Sequence, residues 1–148
     1  MEPILHIAVK LLARRSHSKS ELRRKLQTKS YSDQDIENAL EILEQRKLLD
    51  DMELAQRLFE QYGNAGKYSL KMILLKLKQH GFSNSVIHFV LSTSDDYDEY
   101  PAAKKLADQS NQRRKDPLKL SLYLSSKGFT KSTINQVLIN NSEPTVKQ

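Results

Sequence analysis

The stretch SKSELRRKLQTKSYSDQDIENAL, residues 18–40, reads as a helix, a tight turn and a second helix. Leu22 and Leu26 stand four apart, Ser30-Tyr31-Ser32 interrupts the periodicity, and Ile36 and Leu40 again stand four apart, so each pair shares one helical face. A shift of 51 positions lays Ile73, Leu77, Gly81-Phe82-Ser83, Ile87 and Leu91 on those same sites, and a further 47 gives Leu120, Leu124, Gly128-Phe129-Thr130, Ile134 and Leu138. Start signals repeat as well. Ser18, Ser69 and Asp116 fall on one equivalent site, each a good N-cap, with Pro117 at the first helical position after Asp116. Ser32, Ser83 and Thr130 are the second caps. One such match would fit any amphipathic helix pair with a Gly-aromatic turn, but three in register over nearly the whole chain are internal repeats.

Each repeated pair is preceded by one more helix. Pro3 opens a first helix whose stripe is Ile4, Ala8, Leu11 and Leu12 and which runs to about Arg15. Ser18 with Glu21 is a capping box for the helix from Lys19 to about Lys29, and Ser32 with Asp35 is a weaker version for a helix carrying Ile36, Ala39, Leu40 and Leu43 inward. Asp50-Asp51 starts a fourth helix with Leu54, Ala55, Leu58, Phe59 and Tyr62 inside, which Gly63-Asn64-Ala65-Gly66 stops. The helix around Leu70–Leu77 is apolar on more than one face and is expected to be central. Residues from Ser92 to Tyr100 form an acidic break, read as a polar linker at which the third unit can change its angle. Ala103, Leu106 and Ala107 make a thin stripe after it, and Asn141 to Gln148 is expected to fray. The expected fold is all-α: three tandem three-helix units in residues 1–47, 48–94 and 95–148, forming an elongated, curved monomer.

A chain of 148 residues with 38% hydrophobic content suits such a modular stack better than one thick core. With no cysteine, disulfides, thiolate metal sites and a cysteine nucleophile are excluded. The run from Ile4 to Ala13 is broken by His6 and Lys10 and lacks a basic lead-in, so neither a signal peptide nor a membrane span is expected, and the cytoplasm is the expected compartment. The net charge of +6 is unevenly distributed. Residues 1–30 hold eight Lys/Arg against two acids, whereas residues 31–62 hold three against nine. Four lysines and no acid follow in residues 67–80, and six bases against two acids in residues 104–119. Such basic clusters point to a polyanionic partner or an acid-lined protein surface.

No catalytic constellation is present in the sequence. His6, His17, His80 and His88 have no acid at ligand spacing, so no metal and no cofactor are expected. Asp50-Asp51 and Asp95-Asp96 are sequence neighbours that point apart on a helix, no glycine-rich phosphate loop exists, and no serine has a nucleophile-elbow context. A binding protein is expected, not an enzyme. Two modes suit it: a helical clamp lying along a large assembly, or a DNA-binding module with one basic helix in the major groove. A groove reader concentrates its base-reading side chains on one exposed helix, whereas here basic residues recur on several, which favours the clamp.

Leu11-Leu12-Ala13-Arg14-Arg15, His17-Ser18, Glu21-Leu22 and Lys25-Leu26 resemble the N-terminal signature of the RecX family, bacterial regulators of the RecA recombinase. Leu48-Leu49-Asp50-Asp51 with Ala55 is similar to that family's central signature, and Gly66, Leu77 and Gly81-Phe82 to a later portion, so the resemblance covers essentially the whole chain. The chain departs from the family pattern where Ser30 and Lys47 replace glycines, where Glu53-Leu54 replaces Arg-Phe, and where His80 replaces a common Lys. The resemblance implies a protein of DNA repair, homologous recombination and the SOS response. It implies binding in the helical groove of the RecA–single-stranded DNA filament, limiting filament growth, ATP hydrolysis, strand exchange and coprotease activity, with weak direct DNA binding and no membrane partner. The expected contact surface is Arg14, Arg15, Lys19, Arg23, Arg24 and Lys25, joined by Lys67, Lys71 and Lys76, with Arg113, Arg114 and Lys115 as further candidates. Arg23 and Arg24 have no acid four residues on and are expected to be unpaired.

Overall fold

The computed structural model describes residues 2–94, 96–110 and 116–142, the side chain of Ser142 excepted. Among them are nine α-helices and no strand: α1 Ile4–Arg14, α2 Lys19–Gln27, α3 Asp33–Gln45, α4 Asp51–Asn64, α5 Leu70–Gln79, α6 Asn84–Thr93, α7 Tyr100–Gln109, α8 Pro117–Ser126 and α9 Lys131–Ser142. The chain divides into two compact units, Met1–Leu58 with Lys76–Thr93 and Phe59–Leu75 with Ser94–Gln148, so α4 and α5 each have residues in both. Arg113, Arg114 and Lys115 lie outside the described residues, as does the tail beyond Ser142.

In the first unit the expected faces turn inward. Leu22, Leu26 and Leu40 have no exposed surface, and with Ala8, Ile36, Leu43 and Leu49 they form a core against which α1 lays Ile4, Leu11 and Leu12. In the second unit Ala102, Ala103 and Ala107 of α7 meet Leu120 and Leu124 of α8 and Ile134 and Val137 of α9. Small alanines on α7 allow close approach of the helices packed on them. α5 turns Ile73 and Leu77 fully inward, but Leu75 stays about half exposed, so this helix is not covered on every face. α4 ends at Asn64, inside the Gly63-Asn64-Ala65-Gly66 run expected to stop it, and the reversal comes at Gly66, whose φ is +69°. α9 continues to Ser142, into the segment from Asn141 that was expected to fray.

The backbone shows the repeat register. Ser30, Gly81 and Gly128, equivalent in sequence, have φ of 67°, 87° and 93°. Each closes the first helix of its pair with a left-handed residue, the usual reversal after a helix. Lys47, the other position where glycine was expected, has φ 58°.

Within each unit a repeated joint fixes successive pairs. In the first unit the Ser18 hydroxyl accepts from Glu21 N at 3.1 Å and donates to His80 O. In the second, the Ser69 hydroxyl accepts from Met72 N at 3.1 Å and donates to Lys127 O at 2.8 Å. His80 and Lys127 immediately precede the turn glycines, which lie so close that an added Cβ would stand 2.6 Å from Ser20 Cβ at Gly81 and 2.7 Å from Ser69 Oγ at Gly128. An acid completes each joint: Asp51 Oδ1 accepts from Lys19 N at 2.8 Å, and Glu99 Oε2 from Leu70 N at 3.0 Å. Lys19 and Leu70 are equivalent first residues of their helices, whose N–H groups would otherwise be orphaned.

Candidate partner-binding site

α2 is held by a complete capping box, with Ser18 N donating to Glu21 Oε1 at 3.0 Å. Because Leu22 and Leu26 fix its inner face, helical geometry sets Arg24 and Lys25 outward, and both are exposed. Arg14, at the end of α1, is exposed as well, and none of these three forms an ion pair with another described residue. Cations uncompensated by neighbouring acids are the ones whose field reaches a partner.

Arg23 is different from what the sequence suggested. Its Nε lies 2.6 Å from Glu37 Oε1 and its Nη2 3.3 Å from Glu37 Oε2, a two-pronged pair with α3. The hydrogen bond from Arg23 holds the Glu37 carboxyl below its ordinary range. The acid comes from the neighbouring helix, 14 residues on, rather than from the next turn of α2. Lys19 is likewise paired, its Nζ 2.7 Å from Glu44 Oε1, and Arg15 Nη1 lies 3.5 Å from Glu21 Oε2. Lys76 is half-buried on α5. In the second unit Lys67 stands over the Tyr68 ring at 5.3 Å from its centroid, and Lys71 is exposed on α5. Of the cations expected at the contact surface, Arg14, Arg24 and Lys25 are thus exposed without an ion pair among the described residues of the first unit, and Lys67 and Lys71 are exposed in the second.

The departure at Glu53-Leu54 has a local account. Glu53, in the first turn of α4 where an acid suits the helix dipole, pairs with Arg57 at 3.3 Å, while Leu54 is buried at 5% exposure. Arg57 Nη2 also donates to Ser16 Oγ at 3.1 Å. Asp50 caps α4 by accepting from Glu53 N at 3.2 Å, while its neighbour Asp51 turns to α2; burial pushes the Asp51 carboxyl up.

The sequence missed two polar residues. Glu99, read as a solvated charge, is 7% exposed and accepts from Leu70 N, from Thr130 N at 2.9 Å and from Thr133 Oγ1 at 2.9 Å. Burial works to raise its pKa, but the hydrogen bonds from Thr130, Leu70 and Thr133 outweigh that and hold the carboxyl below its ordinary range. Beside it Tyr97 donates to Tyr68 O at 2.7 Å and meets Phe59 edge-on. His17, 3% exposed, lies with Nδ1 2.9 Å from Arg15 O, and its Nε2 has no partner among the described residues. Since a carbonyl only accepts, Nδ1 carries the proton. Burial lowers the pKa of the ring. The described residues contain no cluster of His, Cys, Asp or Glu able to hold a metal, and no helix among them is long and apolar enough to cross a membrane.

A family model described as "RecX, first three-helix domain" matches residues 5–43. A regulatory protein RecX from Pelodictyon phaeoclathratiforme is 33% identical over 134 residues, covering 88% of this chain and 84% of the relative. One from Prosthecochloris aestuarii is 31% identical over 140 residues, covering 90% of each. In three dimensions the chain is similar to the crystal structure of RecX from Lactobacillus salivarius, with a TM-score of 0.80 at 18% identity over 93% of this chain and 94% of the other. It is also similar to a second crystal structure of a regulatory protein RecX, with a TM-score of 0.77 at 22% identity over 90% of this chain and 70% of the other.

Proposed function

The chain belongs to the RecX family, and from that premise we propose that it binds the RecA–single-stranded DNA filament through its basic helix faces and restrains filament assembly. Restraint of assembly carries with it ATP hydrolysis, strand exchange and coprotease activity, since each depends on the assembled filament. The protein acts here as a cytoplasmic monomer, in three tandem units spread along the filament. The observation that carries this function is the outer face of α2, where Leu22 and Leu26 are wholly buried while Arg24 and Lys25 stand exposed without an acid partner among the described residues. Arg14 extends that face, and Lys67 and Lys71 supply a second basic segment. A nucleoprotein filament is a polyanion, and exposed cations both attract it from a distance and set the register of binding.

The test is Arg24→Glu with Lys25→Glu, a pair that leaves the Arg23–Glu37 contact alone. Thermal stability should stay within about 0.5 kcal/mol of wild type, because exposed substitutions cost little. Affinity for RecA filaments, and inhibition of their ATPase, should fall tenfold or more. A folded double variant that inhibits as well as wild type refutes the assignment. Bare single-stranded DNA that competes as well as the filament in moderate salt would establish direct DNA binding instead.

A further inference from the structure

The two joints are built alike but differ in charge. Ser20 lies on the Gly81 turn in the first, and its equivalent Lys71 lies on the Gly128 turn in the second, where a Cβ on the glycine would stand 3.5 Å from Lys71 Cβ and 3.7 Å from its Cδ. His80, which precedes the first turn, corresponds to Lys127, and Asn84, which opens α6, corresponds to Lys131, which opens α9. At these three positions the first joint carries no lysine or arginine, and the second carries lysine each time. The joint itself does not call for them, because the Ser18–His80 and Lys19–Asp51 hydrogen bonds form without them.

Lys71, Lys127 and Lys131 are exposed, and none forms an ion pair with another described residue, whereas Arg15, Lys19, Arg23 and Arg57 of the first unit each meet an acid. The acid at this joint, Glu99, is 7% exposed, and its oxygens are taken by Leu70 N, Thr130 N and Thr133 Oγ1. Lys131 stands in the first turn of α9, where a cation opposes the helix dipole. The Lys71 stem lies along the bare turn, and Lys127 and Lys131 flank that turn in the chain, so the three side chains leave one small patch of backbone.

We propose that Lys71, Lys127 and Lys131 form a phosphate-contacting patch, and that its partner is the backbone of the single-stranded DNA in the filament. The contact rests on the function proposed above and adds to it a direct nucleic-acid contact in the second unit, through two lysines, Lys127 and Lys131, outside the surface expected from the sequence. Lysine suits a phosphodiester, since a compact ammonium is a point charge that meets a phosphate from any direction. An acidic protein surface is matched better by planar arginine forks, and the patch has none. The half-buried Tyr123 ring has its centroid 5.7 Å from Lys127 Nζ, so an aromatic side chain adjoins the cations, as on surfaces that bind single strands.

The experiment is Lys71→Gln with Lys127→Gln and Lys131→Gln, which removes three charges and keeps the part of the Lys71 stem that lies on the turn. Binding to bare single-stranded DNA at low ionic strength, and to RecA filaments, is measured across a salt series, with thermal unfolding as the check on folding. The melting temperature should not fall, since all three side chains are exposed. Affinity for bare DNA should drop at least tenfold, the salt slope should shrink by about 2 for three lost phosphate contacts, and filament affinity should fall with it. Neutralising Lys104, Lys105 and Lys119, exposed lysines of the same unit outside the joint, is the control; an equal loss there makes net charge the cause and overturns the patch. A loss on filaments with bare-DNA binding unchanged makes an acidic protein surface the partner and also overturns it, as does a triple variant that binds both like wild type. Wild type that binds filaments but not bare DNA overturns this contact and leaves the proposed function standing; wild type that binds bare DNA but not filaments overturns that function, and with it this contact's place in the filament.

Discussion

Gly81→Ala should be among the most damaging single-methyl changes in the molecule, and its magnitude can be worked from the joint it enters. The residue has φ of 87°, where a side chain costs roughly 1 kcal/mol relative to glycine. The new Cβ would stand 2.6 Å from Ser20 Cβ, an atom fixed directly to its own backbone, so α2 or the turn must move. Overpacking of that kind costs about 1–3 kcal/mol. Any such movement also stretches the hydrogen bond from Ser18 to His80 O, worth about 1 kcal/mol. These contributions overlap, and a loss of about 2–4 kcal/mol is expected, which for a chain near 150 residues lowers the melting temperature by roughly 6–12 °C. Ser30→Gly at the equivalent site is the control. It has φ of 67° but takes part in no joint among the described residues, so the change should be neutral or stabilise by up to about 1 kcal/mol. Urea unfolding followed by circular dichroism measures both, with coincidence of near- and far-ultraviolet transitions as the check on two-state behaviour. A Gly81→Ala protein within about 0.5 kcal/mol of wild type would refute the joint as described.

Two further changes test the buried polar groups. Glu99→Gln should cost about 2–3 kcal/mol, because an amide cannot accept from Leu70 N, Thr130 N and Thr133 Oγ1 as a carboxylate does. The Glu99 pKa is lowered in the folded protein, so its contribution is present above the ordinary glutamate value of 4.5 and is lost as pH falls through the depressed one; the variant's stability curve should be flatter over that acid range. His17→Leu should change stability at pH 7 by no more than about 1 kcal/mol. In wild type the unfolded chain takes up a proton near pH 6.5 that the native ring, with its lowered pKa, refuses, so stability falls as pH drops from there. Chemical denaturation at pH 7 and pH 5.5 should show that loss shrinking in His17→Leu.

The helices were legible because their signals are local. The caps at Ser18 and Ser32 and the four-residue spacing of Leu22–Leu26 and Ile36–Leu40 each involve residues within one or two turns of one another. Left-handed geometry at Ser30 and Lys47 was legible too, through the glycines a related family places there. The joints were not, because they join residues 62 and 58 positions apart in pairs such as Ser18–His80 and Ser69–Lys127. Ser18 looked complete as an N-cap, and nothing near it advertised a second bond from the same hydroxyl. Glu99 was lost in a run of acids because composition counts charges without asking which is buried. Arg23 failed as a free cation for a similar reason. Its partner Glu37 is 14 residues on and on another helix, where a search along one helix face does not look.

One partner in each joint contact is a main-chain atom, and that has an evolutionary consequence. The His80 and Lys127 contacts use carbonyls, the Lys19 and Leu70 contacts use amides, and the turns use the absence of a side chain. Only a small hydroxyl at the cap, an acid at the next helix start and a bare turn residue are demanded of the sequence. The outward-facing positions on these helices can drift under their own pressures of solubility or partner choice without changing the angle at which one pair meets the next. Homologues should therefore diverge fastest on the outer faces of α2 and α5 while Ser18, Ser69, Gly81 and Gly128 hold still, and a binding surface of this kind can be rewritten for a changed partner without refolding the scaffold beneath it.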